Sequence, residues 1–150
     1  RDVLARAFER AHQAFEAAKA AEETIAVHAD LHAGNLLIDP NRRPAIGVID
    51  VDDMGWATPA VDLAIAAFRR EPTIAVEAAI RDSYQVHRNL PPLADGHYEA
   101  LVASRQLLLA NAICTSTTAA HRAIAEDYLD RSVRRLRAWL DTGTFRLDRF

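Results

Sequence analysis

Residues 27–64 read VHADLHAGNLLIDPNRRPAIGVIDVDDMGWATPAVDLA, and the rest of the chain is organised around this stretch. It gathers His28, Asp30, His32, Asn35, Asp50, Asp52, Asp53 and Asp62 among short apolar runs, while the flanking sequence reads as helical scaffold. Two of those runs, 35–38 and 45–49, are separated by DPNRRP (39–44), a segment rich in turn formers. Such a pair predicts a β-hairpin. Asn35 opens the first run and Asp50 follows the second, so both side chains are placed at strand ends. Antiparallel pairing returns the chain to where it started. A carboxylate before the hairpin (Asp30), an amide at its start (Asn35) and a carboxylate at its end (Asp50) can therefore converge on one point.

Asparagine and aspartate offer hard oxygen ligands suited to Mg²⁺, which takes one or two protein groups and fills its shell with phosphate oxygens and water. Asp30 would then stand free beside the metal, able to accept a proton from an attacking hydroxyl. Phosphoryl transfer asks for this set: a positioned base, a metal held by an Asp and an Asn, and neutralisation of charge. Asp-x-x-x-x-Asn preceded by His-x, then a strand ending in Asp, is the spacing of the protein-kinase catalytic loop and metal-binding aspartate.

The wording carries the likeness further. HADLHAGNLLID and VIDVDDMGWATPAVDLA resemble the aminoglycoside phosphotransferase and choline kinase family, whose motifs run H-G-D-x-H-x-x-N and then I-D-[FW]-x-D-x-x-x-G-D-P-x-x-D-L-A. The resemblance implies an α+β fold: the mainly helical C-terminal lobe of a protein-kinase-like fold, with a small antiparallel hairpin carrying the catalytic and metal-binding loops. It implies Asp30 as catalytic base, Asn35 and Asp50 as Mg²⁺ ligands, and ATP as phosphoryl donor to a hydroxyl of an aminoglycoside, amino alcohol or sugar-like acceptor. His28 matches the histidine that holds the loop's shape, and His32 the motif's second histidine. Asp62 matches an acid at a helix start that supports the catalytic loop, and Asp53 a second, supporting acid. Four positions depart from the pattern. Ala29 and Ala57 stand where glycine is usual, Val51 where an aromatic is usual, and Thr58 where aspartate precedes Pro59. Thr58 is expected to cap the following helix by its hydroxyl.

Around this centre the periodicity is helical. Leu4, Phe8, Ala11, Phe15 and Ala18 mark an amphipathic helix over 2–23, with Glu9, Glu16 and Glu23 off its apolar stripe. Residues 24–27 read as a strand or extended lead-in, and 54–59 as irregular. A buried helix over 60–68 is predicted to break at Pro72. Val76, Ile80, Tyr84 and His87 mark a second, closed by Asn89, Pro91 and Pro92. Tyr98, Leu101, Val102, Arg105, Leu108, Leu109 and Ala112 mark a third, and Leu129, Val133, Leu136 and Leu140 a fourth that ends at Gly143. Trp56 and Trp139 are read as packing residues, Cys114 as a core thiol, and His12, His87, His97 and His121 as surface groups. RSVRRLRAW (131–139), flanked by Glu126, Asp127, Asp130 and Asp141, reads as a solvated, salt-bridged helix face. Asp95, Glu99 and Arg105 are candidate acceptor-lining residues.

At 150 residues, with 50% apolar and 26% charged side chains, the chain is one globular domain with a single core. Its formal net charge of −3 gives no basic footprint for nucleic acid, no apolar run is long enough to span a bilayer, and a cytoplasmic location is expected. Of 18 basic residues only Lys19 is a lysine, and it falls within the first helix. A kinase also uses a glycine-rich loop over the phosphates and a lysine on a neighbouring strand. None of the five glycines lies in such a loop. With Arg1 rather than Met at its start, the chain is expected to be part of a longer protein, its N-terminal nucleotide lobe lying outside these residues. Two rivals remain in view. His28-x-Asp30-x-His32 suits a metal-dependent hydrolase with Asp50 as a further ligand, and the same lobe could serve as a non-catalytic binding module. VIDVDD also suggests a phosphatase that starts with D-x-D, but no lysine follows Asp50.

Overall fold

The structure, a computed structural model, describes residues 2–69 and 74–147. Helix α1 (Asp2–Ala21) leads into strand β1 (Ile25–Val27). A single 3-10 turn (Ala33–Asn35) then opens the hairpin β2 (Leu36–Ile38) and β3 (Ile46–Val48), and β4 (Gly55–Ala57) follows. The remainder is helical: α2 (Pro59–Ala67), α3 (Ile74–Gln85), α4 (Asp95–Thr115) and α5 (Ala119–Thr142). The fold is α+β and mainly helical, as the sequence implies. Pro72, expected to break α2, lies outside the described residues.

The hairpin forms with Leu36 opposite Val48 and Ile38 opposite Ile46. The segment 54–59, read as irregular, instead supplies β4, which pairs antiparallel with β1 so that Val27 faces Gly55 and Ile25 faces Ala57. Three residues, GWA, carry no alternation and little β-branching, and they become a strand only because β1 offers an edge. Trp56 projects from that strand into solvent, 81% exposed, so it is not a packing residue within this chain.

The core lies where α1, α2, α4 and α5 meet. The fully buried line of α1 is Ala7, Ala11, Ala14 and Ala18, with Leu4 and Phe15 of the predicted stripe partly buried against the core beside it. Small residues let two helix axes approach closely, and α4 takes that space with Ala100, Leu101, Val102 and Ala103. Phe8 is rotated off this seam and is 65% exposed. Leu136, Trp139 and Phe145 close the core from α5 and the segment after it, and the Phe145 ring stacks on Phe68 at 5.6 Å. Burying each such side chain contributes about 1.5–3 kcal/mol. Gly143, at φ +79°, terminates α5 in the left-handed conformation that glycine adopts without a steric penalty.

One buried polar network ties α4 to α5. Gln106 donates from Nε2 to Ser132 Oγ (2.8 Å) and Tyr128 Oη (3.2 Å), and Arg135 donates to its Oε1 (3.5 Å). In the arginine-rich run, Arg135 also donates to the Leu147 carbonyl, and Arg131 lies over the Tyr128 ring. Cys114 is exposed and free rather than buried, because its turn of α4 extends past the core. Among the described residues, no helix is long and apolar enough to cross a membrane.

Candidate active site

β1 ends at Val27, and the chain turns sharply through His28 and Ala29. Asp62, in the first turn of α2, holds that turn: its Oδ2 accepts the His28 N–H at 2.9 Å and its Oδ1 the Ala29 N–H at 2.8 Å. Both donors would otherwise be unpaired in a part-buried loop. The carboxylate also sits at the positive end of the α2 dipole. The buried His28 ring makes the next connection. Its Nδ1 accepts the Asp30 N–H (3.3 Å), which leaves the proton on Nε2 to donate to the Ile49 carbonyl at 2.9 Å. One tautomer satisfies both bonds and fastens the loop to the end of β3.

Ile49 is the meeting point of the site. Its carbonyl takes the His28 ring, and its N–H donates to the Asn35 carbonyl at 3.0 Å, the rung that closes the hairpin. Asn35 and Asp50 are thereby set side by side at the same end of β2 and β3. Asn35 is buried and turns its amide nitrogen to the Asp30 carbonyl (3.0 Å) and to Asp30 Oδ2 (3.4 Å). With the nitrogen so engaged, the side-chain oxygen is the atom left to face elsewhere. Asp50 adopts φ +62°, a left-handed conformation that aspartate tolerates better than most residues, and its side chain is exposed. An amide oxygen and an exposed carboxylate, carried at the same end of the hairpin, are hard donors of the kind that Mg²⁺ takes alongside phosphate and water.

Asp30 sits between these elements and α4. Arg105 Nη2 donates to its Oδ1, and both side chains are only 16% exposed. On the other oxygen, His32 Nε2 stands 3.6 Å from Oδ2, beyond hydrogen-bond length. His32 is oriented by its own bond, in which Nδ1 accepts the Gly34 N–H at 3.0 Å and caps the 3-10 turn. A Cβ at Gly34 would come within 2.8 Å of His32 Cε1, so a larger residue there would push the imidazole out of this position.

Asp52 and Asp53 form the exposed turn between Val51 and Met54 and are not drawn into this cluster. Of the three candidate acceptor-lining residues, only Arg105 reaches the loop. Glu99 Oε2 accepts the Phe145 N–H (2.8 Å), and Asp95 lies at the start of α4 near Arg81, Leu90 and Tyr98. The hydrolase arrangement of His28, Asp30 and His32 is not formed, because both His28 ring nitrogens are used within the loop. Among the described residues no group of three His, Cys, Asp or Glu side chains is disposed to hold a metal.

A model of the phosphotransferase enzyme family (APH) matches residues 1–96. The chain belongs to that family. No curated protein matches it. The match covers α1 through α3 and ends just inside α4, so Arg105 lies beyond it.

Against the family motif, the four departures separate by their physical cost. Ala29 adopts φ +61°, where a Cβ is crowded by the following carbonyl, which explains why glycine is usual there. Ala57 lies in β4 and carries no such strain. Val51 is exposed. Thr58 does not cap α2: its hydroxyl is buried without a hydrogen-bond partner. Glu22, just after α1, lies close to that helix start, and its own buried Oε2 has no hydrogen-bond partner among the described residues. Burial raises the Glu22 carboxyl above its ordinary value, an effect that the Arg88 guanidinium and the Ala60 N–H only partly offset. Tyr84 is raised in the same way, by burial against the opposing pull of Arg88, with the negative charges of Glu22 and Asp62 adding to the rise. Asp62 is thus backed by a second layer of polar groups, none of which the sequence pattern points to.

Proposed function

We propose that this chain is the acceptor- and metal-binding lobe of an ATP-dependent phosphotransferase acting on a hydroxyl of a small molecule, of amino-sugar, amino-alcohol or sugar-like class. The observation that carries the reading is the convergence at Ile49, where one residue's N–H and carbonyl bind the loop of Asp30 to the hairpin end bearing Asn35 and Asp50. Asp30 orients the acceptor hydroxyl and takes its proton as the oxygen bonds to phosphorus and ADP departs. Asn35 and Asp50 would hold Mg²⁺, which supplies charge neutralisation on the transferring phosphates. Asp62 and His28 keep the loop in shape, and His32 approaches the second oxygen of Asp30.

Leu37, Ile38, Ile46, Val48, Val51 and Trp56 leave the hairpin and β4 unusually apolar and exposed. Such a strip suits a seat for the nucleotide lobe, which supplies the glycine-rich loop and strand lysine and which we place in an N-terminal segment of the same protein. Access to ATP places the reaction in the cytoplasm. The test is acceptor-dependent ADP formation by the protein encoded in the complete open reading frame, across aminoglycosides, amino alcohols and sugars, with Mg²⁺ varied. The reading expects Mg²⁺-dependent turnover that Asn35→Ala and Asp50→Ala each abolish. Nucleotide binding with no turnover on any acceptor would replace it with a non-catalytic module.

A further inference from the structure

We propose that Arg105 makes this a site for acceptors that carry an oxyanion, a carboxylate or phosphate, within one or two carbons of the reacting hydroxyl. The inference rests on the phosphotransferase reading and narrows its substrate class.

Arg105 reaches Asp30 across 75 positions of sequence, from the middle of α4, and its guanidinium is mostly buried. Among the described residues Asp30 is its one hydrogen-bonding partner. A guanidinium has five N–H donors in a planar fork and does not lose its proton, so donors remain for a ligand after Asp30 is served. An acceptor hydroxyl bound to the Asp30 carboxylate has its neighbouring carbons beside that fork, because base and arginine share an oxygen. A carboxylate or phosphate on those carbons meets a partly desolvated cation in the geometry that favours a paired, charge-assisted contact. An ammonium at the same place meets like charge. Its natural counter-ions are absent from this part of α4: the helix carries two acids, Asp95 and Glu99, both at least six residues before Arg105. Glu99 is engaged by the Phe145 N–H. At Arg105 itself the arrangement therefore favours an oxyanion over an ammonium.

The same contact gives the oxyanion a second effect. With no acceptor bound, Arg105 occupies Asp30 Oδ1. An incoming oxyanion shares the guanidinium with that oxygen and weakens its hold there, which leaves the carboxylate freer to receive the hydroxyl proton. Arg105 is in this sense a specificity-determining residue that also positions the base.

The test uses the protein of the complete reading frame with two matched series, each of one carbon skeleton: glycerate, glycerol and 3-amino-1,2-propanediol, and gluconate, glucose and glucosamine. Phosphorylation is followed for wild type, Arg105→Gln and Arg105→Lys, and binding of glycerate and gluconate by calorimetry. The expected order of kcat/KM is anion over neutral over cation. In Arg105→Gln the anion-to-neutral ratio falls about 30-fold, chiefly through KM for the anion, as loss of one charge-assisted contact requires. Arg105→Lys retains part of the ratio. A purely structural role would change all acceptors alike and leave the ratio where it was, and that result overturns the proposal. So does a preference for the cationic member, or failure of both anions to bind wild type. If the anions bind through Arg105 yet no acceptor of any charge is phosphorylated, the phosphotransferase reading fails and the oxyanion site stands.

Discussion

Asp62→Ala removes the acceptor of two backbone N–H groups, those of His28 and Ala29, at 2.9 and 2.8 Å. Hydrogen bonds to a charged acceptor contribute about 1.5–3 kcal/mol each, and a donor left unpaired in a part-buried site costs a comparable amount. The loop is not fully dry, so water can rescue part of the loss, and the lower end of the range applies to each bond. Loss of a negative charge at the start of α2 adds about 0.3–1 kcal/mol. The sum is a destabilisation of about 3–4 kcal/mol. Asp62→Asn keeps one accepting oxygen and presents an amide donor to the other N–H, so about half of that cost is expected. Urea unfolding followed by far-UV circular dichroism reads both. With a slope of about 2 kcal/mol per M, the alanine variant unfolds at about 1.5–2 M less urea. A loss under about 1 kcal/mol for Asp62→Ala would refute the reasoning, since it would mean that the two bonds do not hold the loop.

Three further outcomes follow from the loop and the layer behind it. Ala29→Gly relieves a left-handed residue, whose cost of about 1–2 kcal/mol exceeds the entropy that glycine adds to the unfolded chain, so the variant gains about 0.5–1 kcal/mol and a few degrees in Tm by calorimetry. Thr58→Val replaces a buried, unpaired hydroxyl by a methyl of the same shape and raises stability by about 1 kcal/mol in urea, whereas a capping threonine would lose that amount. Glu22 has a carboxyl raised above its ordinary 4.5, so the folded state binds the proton more tightly than the unfolded chain, and stability is lost as pH rises through that interval. Glu22→Gln therefore unfolds at higher urea than wild type near pH 7, and the advantage disappears below about pH 4.5. An equal gain at both pH values would contradict that cause.

Much of this architecture could be read from residues 27–64 because its signals are local. DPNRRP between two apolar runs specifies a hairpin by turn chemistry alone, and the hairpin sets Asn35 beside Asp50. What escaped the sequence depends on distant partners. The three residues of β4 are a strand only against β1. A helical stripe identifies a face to within one residue's rotation, and α1 turned its alanines inward because α4 packs close, leaving Phe8 outside. Thr58 precedes a proline-initiated helix, as a cap should, yet its hydroxyl is buried without a partner, because the packing around it and not its spacing decides where that oxygen points. Arg105 stood in the apolar stripe of α4 as one candidate of three, and nothing in its spacing could show that it meets Asp30 rather than solvent.

The most direct test of the account is single-turnover phosphoryl transfer by the protein of the complete reading frame, with ³¹P NMR of the acceptor, comparing wild type with Asp30→Asn. Asparagine fits the same space and still accepts from Arg105, but it cannot take the hydroxyl proton. The account predicts a phosphorylated acceptor with wild type and a rate reduced about 10²–10⁴-fold in the variant, with MgATP still bound. Transfer by Asp30→Asn at the wild-type rate would contradict it.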